Sequence, residues 1–118
     1  MNSFFFRNND PSKIIFAKQD QIFEMDVETD DFKTIHKFNP ALGCQPEILR
    51  TDVNQDVFVV ASRQDGIWVD VKNAKEVDLD EEFEVNLIME VVLDEDEGMF
   101  YFLSNMKHGK LGFFLIRF

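Results

Sequence analysis

The sequence predicts an all-β fold of small antiparallel sheets that recur along the chain, and three observations carry that prediction. Short apolar runs rich in Phe, Ile and Val are broken by Asp, Asn and Gly turns, helical signals are nearly absent, and residues 3–30 lie on residues 47–74 without a gap. β-branched and aromatic residues suit a pleated, half-buried surface, and Asp, Asn and Gly form the turns between such strands. In the repeat, Ala17 falls on Ala61, Asp26 on Asp70 and Val27 on Val71, a shift of 44 positions. Apolar positions coincide more widely: Phe4 with Ile48, Phe5 with Leu49, Ile14-Ile15-Phe16 with Phe58-Val59-Val60, Phe23 with Ile67 and Met25 with Val69.

Each element follows from this pattern. In the first unit Ser3–Arg7 is an apolar strand, Asn8-Asn9-Asp10-Pro11 a turn, and Lys13–Ala17 and Phe23–Val27 a hairpin pair around the polar break Lys18–Gln21. The second unit repeats this with Glu47–Thr51, the turn Asp52–Asp56, and Val57–Ser62 and Ile67–Val71 around Arg63-Gln64-Asp65-Gly66, where Asp-Gly is the hairpin signal. A more polar strand closes each of these units, Phe32–Phe38 and Lys75–Asp80, as suits an exposed sheet edge. The third unit has Ile88–Leu93, the turn Asp94–Gly98, then Met99–Ser104 and Leu111–Phe118 around Asn105–Lys110. It has no fourth strand, so its last apolar strand is expected to leave an open edge. The units run approximately over 3–46, 47–87 and 88–118 within one domain, 1–118.

A period of roughly 40–45 residues with several strands per unit is the spacing of propeller blades. Ile67-Trp68-Val69-Asp70, with Phe23-Glu24-Met25-Asp26 as a degenerate version, is similar to the aromatic and Asp ending of the third strand in WD40-like β-propellers. The resemblance covers nearly the entire chain. It implies antiparallel four-stranded blade-like sheets in a partial β-propeller, and a rigid non-catalytic platform whose loops bind proteins or peptides. Three blades fall short of the roughly 4–8 of a closed propeller. Either further blades or other chains are then expected at the ends, and a compact β-sandwich or barrel of short strands is the alternative.

Charge is unevenly spread. The net charge is −11, and all of the imbalance sits in Glu76–Glu97, which holds eleven acidic residues and no Lys or Arg. Direct nucleic-acid binding needs a basic surface and is disfavoured. The positive corollary is a basic protein partner, with Asp80, Glu81, Glu82, Glu84, Asp94, Glu95, Asp96 and Glu97 as its contacts; the alternative is a solvated rim that keeps the protein soluble. No apolar run approaches the ~20 residues that span a bilayer, and the N-terminus lacks a signal pattern, so a cytoplasmic or nuclear protein is expected. Cys44 is the single cysteine, which allows no internal disulfide, and reads as a semi-buried loop residue.

Asp52-x-Asn54-x-Asp56 places alternating oxygen ligands on a tight turn, like the opening half of a calcium-binding loop, with Asp94-x-Asp96 and Gly98 at the equivalent turn. The sixth position is Val57 rather than Gly, and the closing acid would fall at Arg63, so calcium is a weak candidate and no cofactor is expected. His36 and His108 have no zinc-ligand spacing. Ser3, Ser12, Ser62 and Ser104 sit in no nucleophile motif, and the glycines form no phosphate loop, so no enzyme is expected. Trp68 and Phe113-Phe114 read as filling between sheets, or as aromatic anchors at an interface. Phe4-Phe5-Phe6 must point to both faces of its strand, which requires a cover on each. The expected function is a protein–protein interaction scaffold, self-associating through open sheet edges; the alternative is a free-standing acidic inhibitor or immunity-type protein that blocks a basic site.

Overall fold

Eleven strands form among the described residues, and every one overlaps a strand predicted above. The computed structural model describes residues 4–39, 42, 45–62 and 65–118; Ser3, Cys44 and the Arg63-Gln64 part of its turn lie outside them. The first sheet comprises β1 (Phe4–Arg7), β2 (Asp10–Lys18), β3 (Gln21–Asp26) and β4 (Phe32–Lys37), and the middle sheet β5 (Glu47–Thr51), β6 (Val57–Ala61), β7 (Gly66–Asp70) and β8 (Lys75–Asp78). The last sheet has three strands, β9 (Val85–Asp94), β10 (Met99–Met106) and β11 (Leu111–Arg117), so β11 is an edge.

All pairings are antiparallel, and within each sheet every strand is bonded to its neighbours in sequence. Such sheets are meanders, which need only short connections. No strand crosses between sheets among the described residues, which excludes the barrel, and three stacked layers replace the two of a sandwich. The architecture is a partial β-propeller of blade-like sheets.

One short helix departs from the expected pattern. Lys75–Asp80 was expected to be strand throughout, but β8 stops at Asp78 and α1 (Leu79–Phe83) follows. Asp78 is its N-cap, accepting from the N–H groups of Asp80 (3.1 Å) and Glu81 (3.3 Å). Asp80, Glu81 and Glu82 fill the first turn, where the helix dipole favours negative charge. Five residues are too few to show a helical period, which hid α1 in the sequence.

The core has two layers, one in each joint between sheets. Ile15 and Ile22 of the first sheet meet Ile48, Phe58, Val60, Ile67 and Val69 of the middle sheet. On the opposite face of that same sheet Val57, Val59 and Trp68 meet Phe100 and Phe102 of the last. Successive residues of a strand point to opposite faces, so β6 and β7 fill both layers by alternation and all their residues but Ala61 are buried. Trp68 is thereby filler, only 1% exposed, and its Nε1 finds no hydrogen-bond partner among the described residues.

The outer sheets bury one face each. The runs Ile14–Ala17 and Phe100–Leu103, continuous in the sequence, are therefore half-exposed: Ile15, Phe100 and Phe102 are buried, whereas Leu103 is not. Phe114 turns inward to stack on Phe83 (4.2 Å between centroids) and Phe102 (4.7 Å), while its neighbour Phe113 is 66% exposed. The triple Phe divides likewise, with Phe5 packed on the first core layer and Phe4 and Phe6 facing outward.

Val59 is fully buried in the joint between the middle and last sheets. Val59→Asp leaves an unpaired charge there and is expected to lower stability by about 3–5 kcal/mol. Chemical denaturation measures this, and an unchanged midpoint would contradict a middle sheet buried on both faces.

Candidate functional site

Turns at one end of the stack are tied to each other across the sheets. The N–H of Asn8, in the β1–β2 turn, donates to Oε1 of Gln55 at 3.2 Å, and Gln55 Nε2 donates back to the Phe6 carbonyl at 2.9 Å. Asn8 Nδ2 also donates to the Val53 carbonyl. From the other side, the Val53 N–H donates to the Glu95 carboxylate of the β9–β10 turn at 3.3 Å. Three turns from three sheets thus form one continuous rim, which presents Val53, Asn54, Asp96 and Glu97 to solvent.

Asp52 holds the middle turn together. Its Oδ1 accepts from the N–H groups of Asp56 and Val57, each at 2.8 Å, and the residue is 4% exposed. Gln55 takes the left-handed conformation (φ 57°) that such a turn requires. Of the alternating residues Asp52, Asn54 and Asp56, Asp52 thus serves the backbone, and no three His, Cys, Asp or Glu among the described residues are arranged to hold a metal ion.

The acidic stretch does not form one patch. Asp80, Glu81, Glu82 and Glu84 lie on or just after α1, whereas Asp94 ends β9 and Glu95, Asp96 and Glu97 follow it in the β9–β10 turn. Between them runs β9, ten residues long, which at about 3.3 Å per residue separates the groups by roughly 30 Å. Only the second group joins the rim. The first is partly engaged locally: Lys107 Nζ lies 2.9 Å from Asp80 Oδ1, and the Lys107 N–H donates to the Glu84 carbonyl. Glu76 is engaged as well, with Oε1 lying 2.5 Å from His36 Nε2 and the carboxylate accepting from the Asn39 N–H at 3.3 Å. That contact clasps β4 of the first sheet to β8 of the middle one.

At the opposite end from the rim, Asp65 stands beside Asp78. Burial, followed by the hydrogen bond it shares with Asp78, pushes its carboxyl up to about 7, against the opposing pull of the Gly66 N–H. Sequence reasoning missed this pair, because Asp65 lies in the β6–β7 connection and Asp78 ends β8, and the two meet only when β7 and β8 pair. A cavity of about 850 Å³ opens here, lined by Asp65, Gly66, Pro46, Ala17 and the start of β9. Gly66 lets the two sheets approach, since a Cβ on it would fall 2.8 Å from Ile88 Cδ1.

No family model matches the chain, and neither does any curated protein. Two solved structures show a likeness to the chain. One is the N-terminal domain of Nup159, with a TM-score of 0.48 and 15% identity, matching 98% of this chain and 30% of that one. The other is a chain in a Saccharomyces cerevisiae complex of Dbp5 bound to Nup159, Gle1, IP6 and ADP, with a TM-score of 0.43 and 16% identity, matching 91% of this chain and 28% of that one. The chain therefore spans less than a third of the length of either.

Asp65 gives the protein a pH dependence of defined sign. Between the unfolded carboxylate value of 3.8 and about 7 the native chain holds a proton that the unfolded chain has released. Stability from this group therefore falls as pH rises through that window. The denaturation midpoint should be higher at pH 5.5 than at pH 8, and Asp65→Asn should flatten that difference. Equal slopes in the two proteins would refute the assignment.

Proposed function

We propose that the chain is an intracellular, non-catalytic protein–protein interaction scaffold built from WD40-like propeller blades, and that the hydrogen-bonded rim of turns is its docking surface. One observation supports this above the rest: loops that vary freely in other settings are here locked to each other across three sheets through Asn8, Gln55, Val53 and Glu95. Loops held on a rigid scaffold lose little conformational freedom on binding, which favours affinity. No helix among the described residues is long and apolar enough to cross a membrane.

The partner is a protein with a basic surface, drawn to the acids of the β9–β10 turn. An acidic inhibitor that blocks one basic site is the weaker reading, because the two acidic groups lie at opposite ends of β9 and one compact site reaches only one of them. Rim charges act chiefly on encounter rates.

The two groups can be tested against each other. With the chain immobilised in a cell extract and bound proteins quantified, Asp96→Lys with Glu97→Lys should deplete specific partners, whereas Glu81→Lys with Glu82→Lys should retain them. For a purified partner the first pair should slow association and weaken its salt dependence. Identical retention by both pairs, or loss only with the second, would refute the rim as the docking surface.

A further inference from the structure

The two outer faces of the stack are apolar and uncovered, and the internal repeat identifies what fits them. On the first sheet the strand registers set Phe4, Phe16, Phe23 and Thr34 in one row and Phe6, Ile14, Met25 and Phe32 in the next. No charge interrupts either row. On the last sheet Val92, Tyr101 and Leu115 form one row, and Leu103 and Phe113, with Glu90 at its end, form another. Phe32, Phe6, Phe113 and Leu115 are 64%, 58%, 66% and 47% exposed.

These faces are the two halves of a joint the molecule already makes twice. The shift of 44 places Phe4, Phe16, Phe23 and Met25 on Ile48, Val60, Ile67 and Val69, the residues with which the middle sheet packs on the first. In the last sheet Tyr101 and Leu115 form a cross-strand pair equivalent to Val59 and Trp68, with which the middle sheet packs on the last. The outer face of the first sheet is thus of the kind that docks onto a preceding sheet, and the outer face of the last sheet is of the kind that receives a following one.

We propose that two copies of the chain close head to tail, the first sheet of each packing on the last sheet of the other to give a ring of six blades. The charges agree with this pairing. Lys18 takes the place of Ser62, which shares a cavity with Ala17 across the internal joint, and the counterpart of Ala17 in the last sheet is Leu103, paired with Glu90. The intermolecular joint therefore brings Lys18 toward Glu90. Two copies of these three sheets give six blades, within the roughly 4–8 of closed propellers, whereas three copies give nine. A twofold ring leaves neither face open, as expected for a closed assembly.

Sedimentation equilibrium on the 118-residue chain should give twice its 13.9 kDa mass. Phe4→Lys and Phe113→Glu, on opposite outer faces, should each raise the dissociation constant by about 100-fold or more, as expected for a charge forced into an apolar joint, since Phe4 is the counterpart of the buried Ile48. Both sites are exposed in the single chain, so each variant should keep the wild-type circular dichroism spectrum. Mixing the two variants should restore dimers, because one joint is then wild-type on both sides and the other sets Lys on the face opposite Glu. A wild-type monomer at high micromolar concentration would overturn the proposal and leave the faces to further sheets of a longer polypeptide. A dimer sensitive to only one variant would overturn it in favour of like faces pairing, and one sensitive to neither would favour pairing through the β11 edge.

Discussion

Burial of the middle sheet on both faces is the constraint on which the rest of this molecule depends. β6 and β7 have no polar face, so each needs a sheet on either side, and that requirement holds the first and last sheets in place. Neither core layer is large. Sharing the same strands joins them into one body, since a shift in β6 register would move Val57 and Val59 out of one layer and Phe58 and Val60 out of the other.

Stacking in this manner has a consequence at each end. An outer sheet copies the middle sheet's pattern, so it carries a second apolar face that the stack itself does not use. Phe23 and Met25 are there because Ile67 and Val69 are there, in the sense that each unit is written to be packed from both sides. The uncovered faces are thus the repeat continuing beyond the sheets that satisfy it.

The rim and the acidic residues show how the backbone sorts charge. A stretch that is uniformly acidic in sequence is divided by β9, because a fully extended strand carries its two ends apart faster than any other structure. Acids on the α1 side cap a helix or pair with Lys107, while Glu95 binds the neighbouring turn through the Val53 N–H. Proximity in sequence therefore overstated how many of these carboxylates a single partner can meet.

The strands, their order and their antiparallel pairing were legible from the sequence, because alternation and Asp or Asn turns are local properties that each segment carries within itself. The Asp52 turn was legible as a turn, because a carboxylate that accepts from the backbone N–H groups following it is a local device. The helix α1 left only its Asp78 cap as a signal. The tertiary structure alone decided which apolar residues are covered: Phe113 and Phe114 are indistinguishable in composition and context, yet one faces solvent and the other stacks on Phe83 and Phe102. It alone joined Asn8 to Gln55, His36 to Glu76 and Asp65 to Asp78, since these pairs meet across sheets, strands and turns whose relative placement is set by packing, a property of the whole chain and of no segment within it.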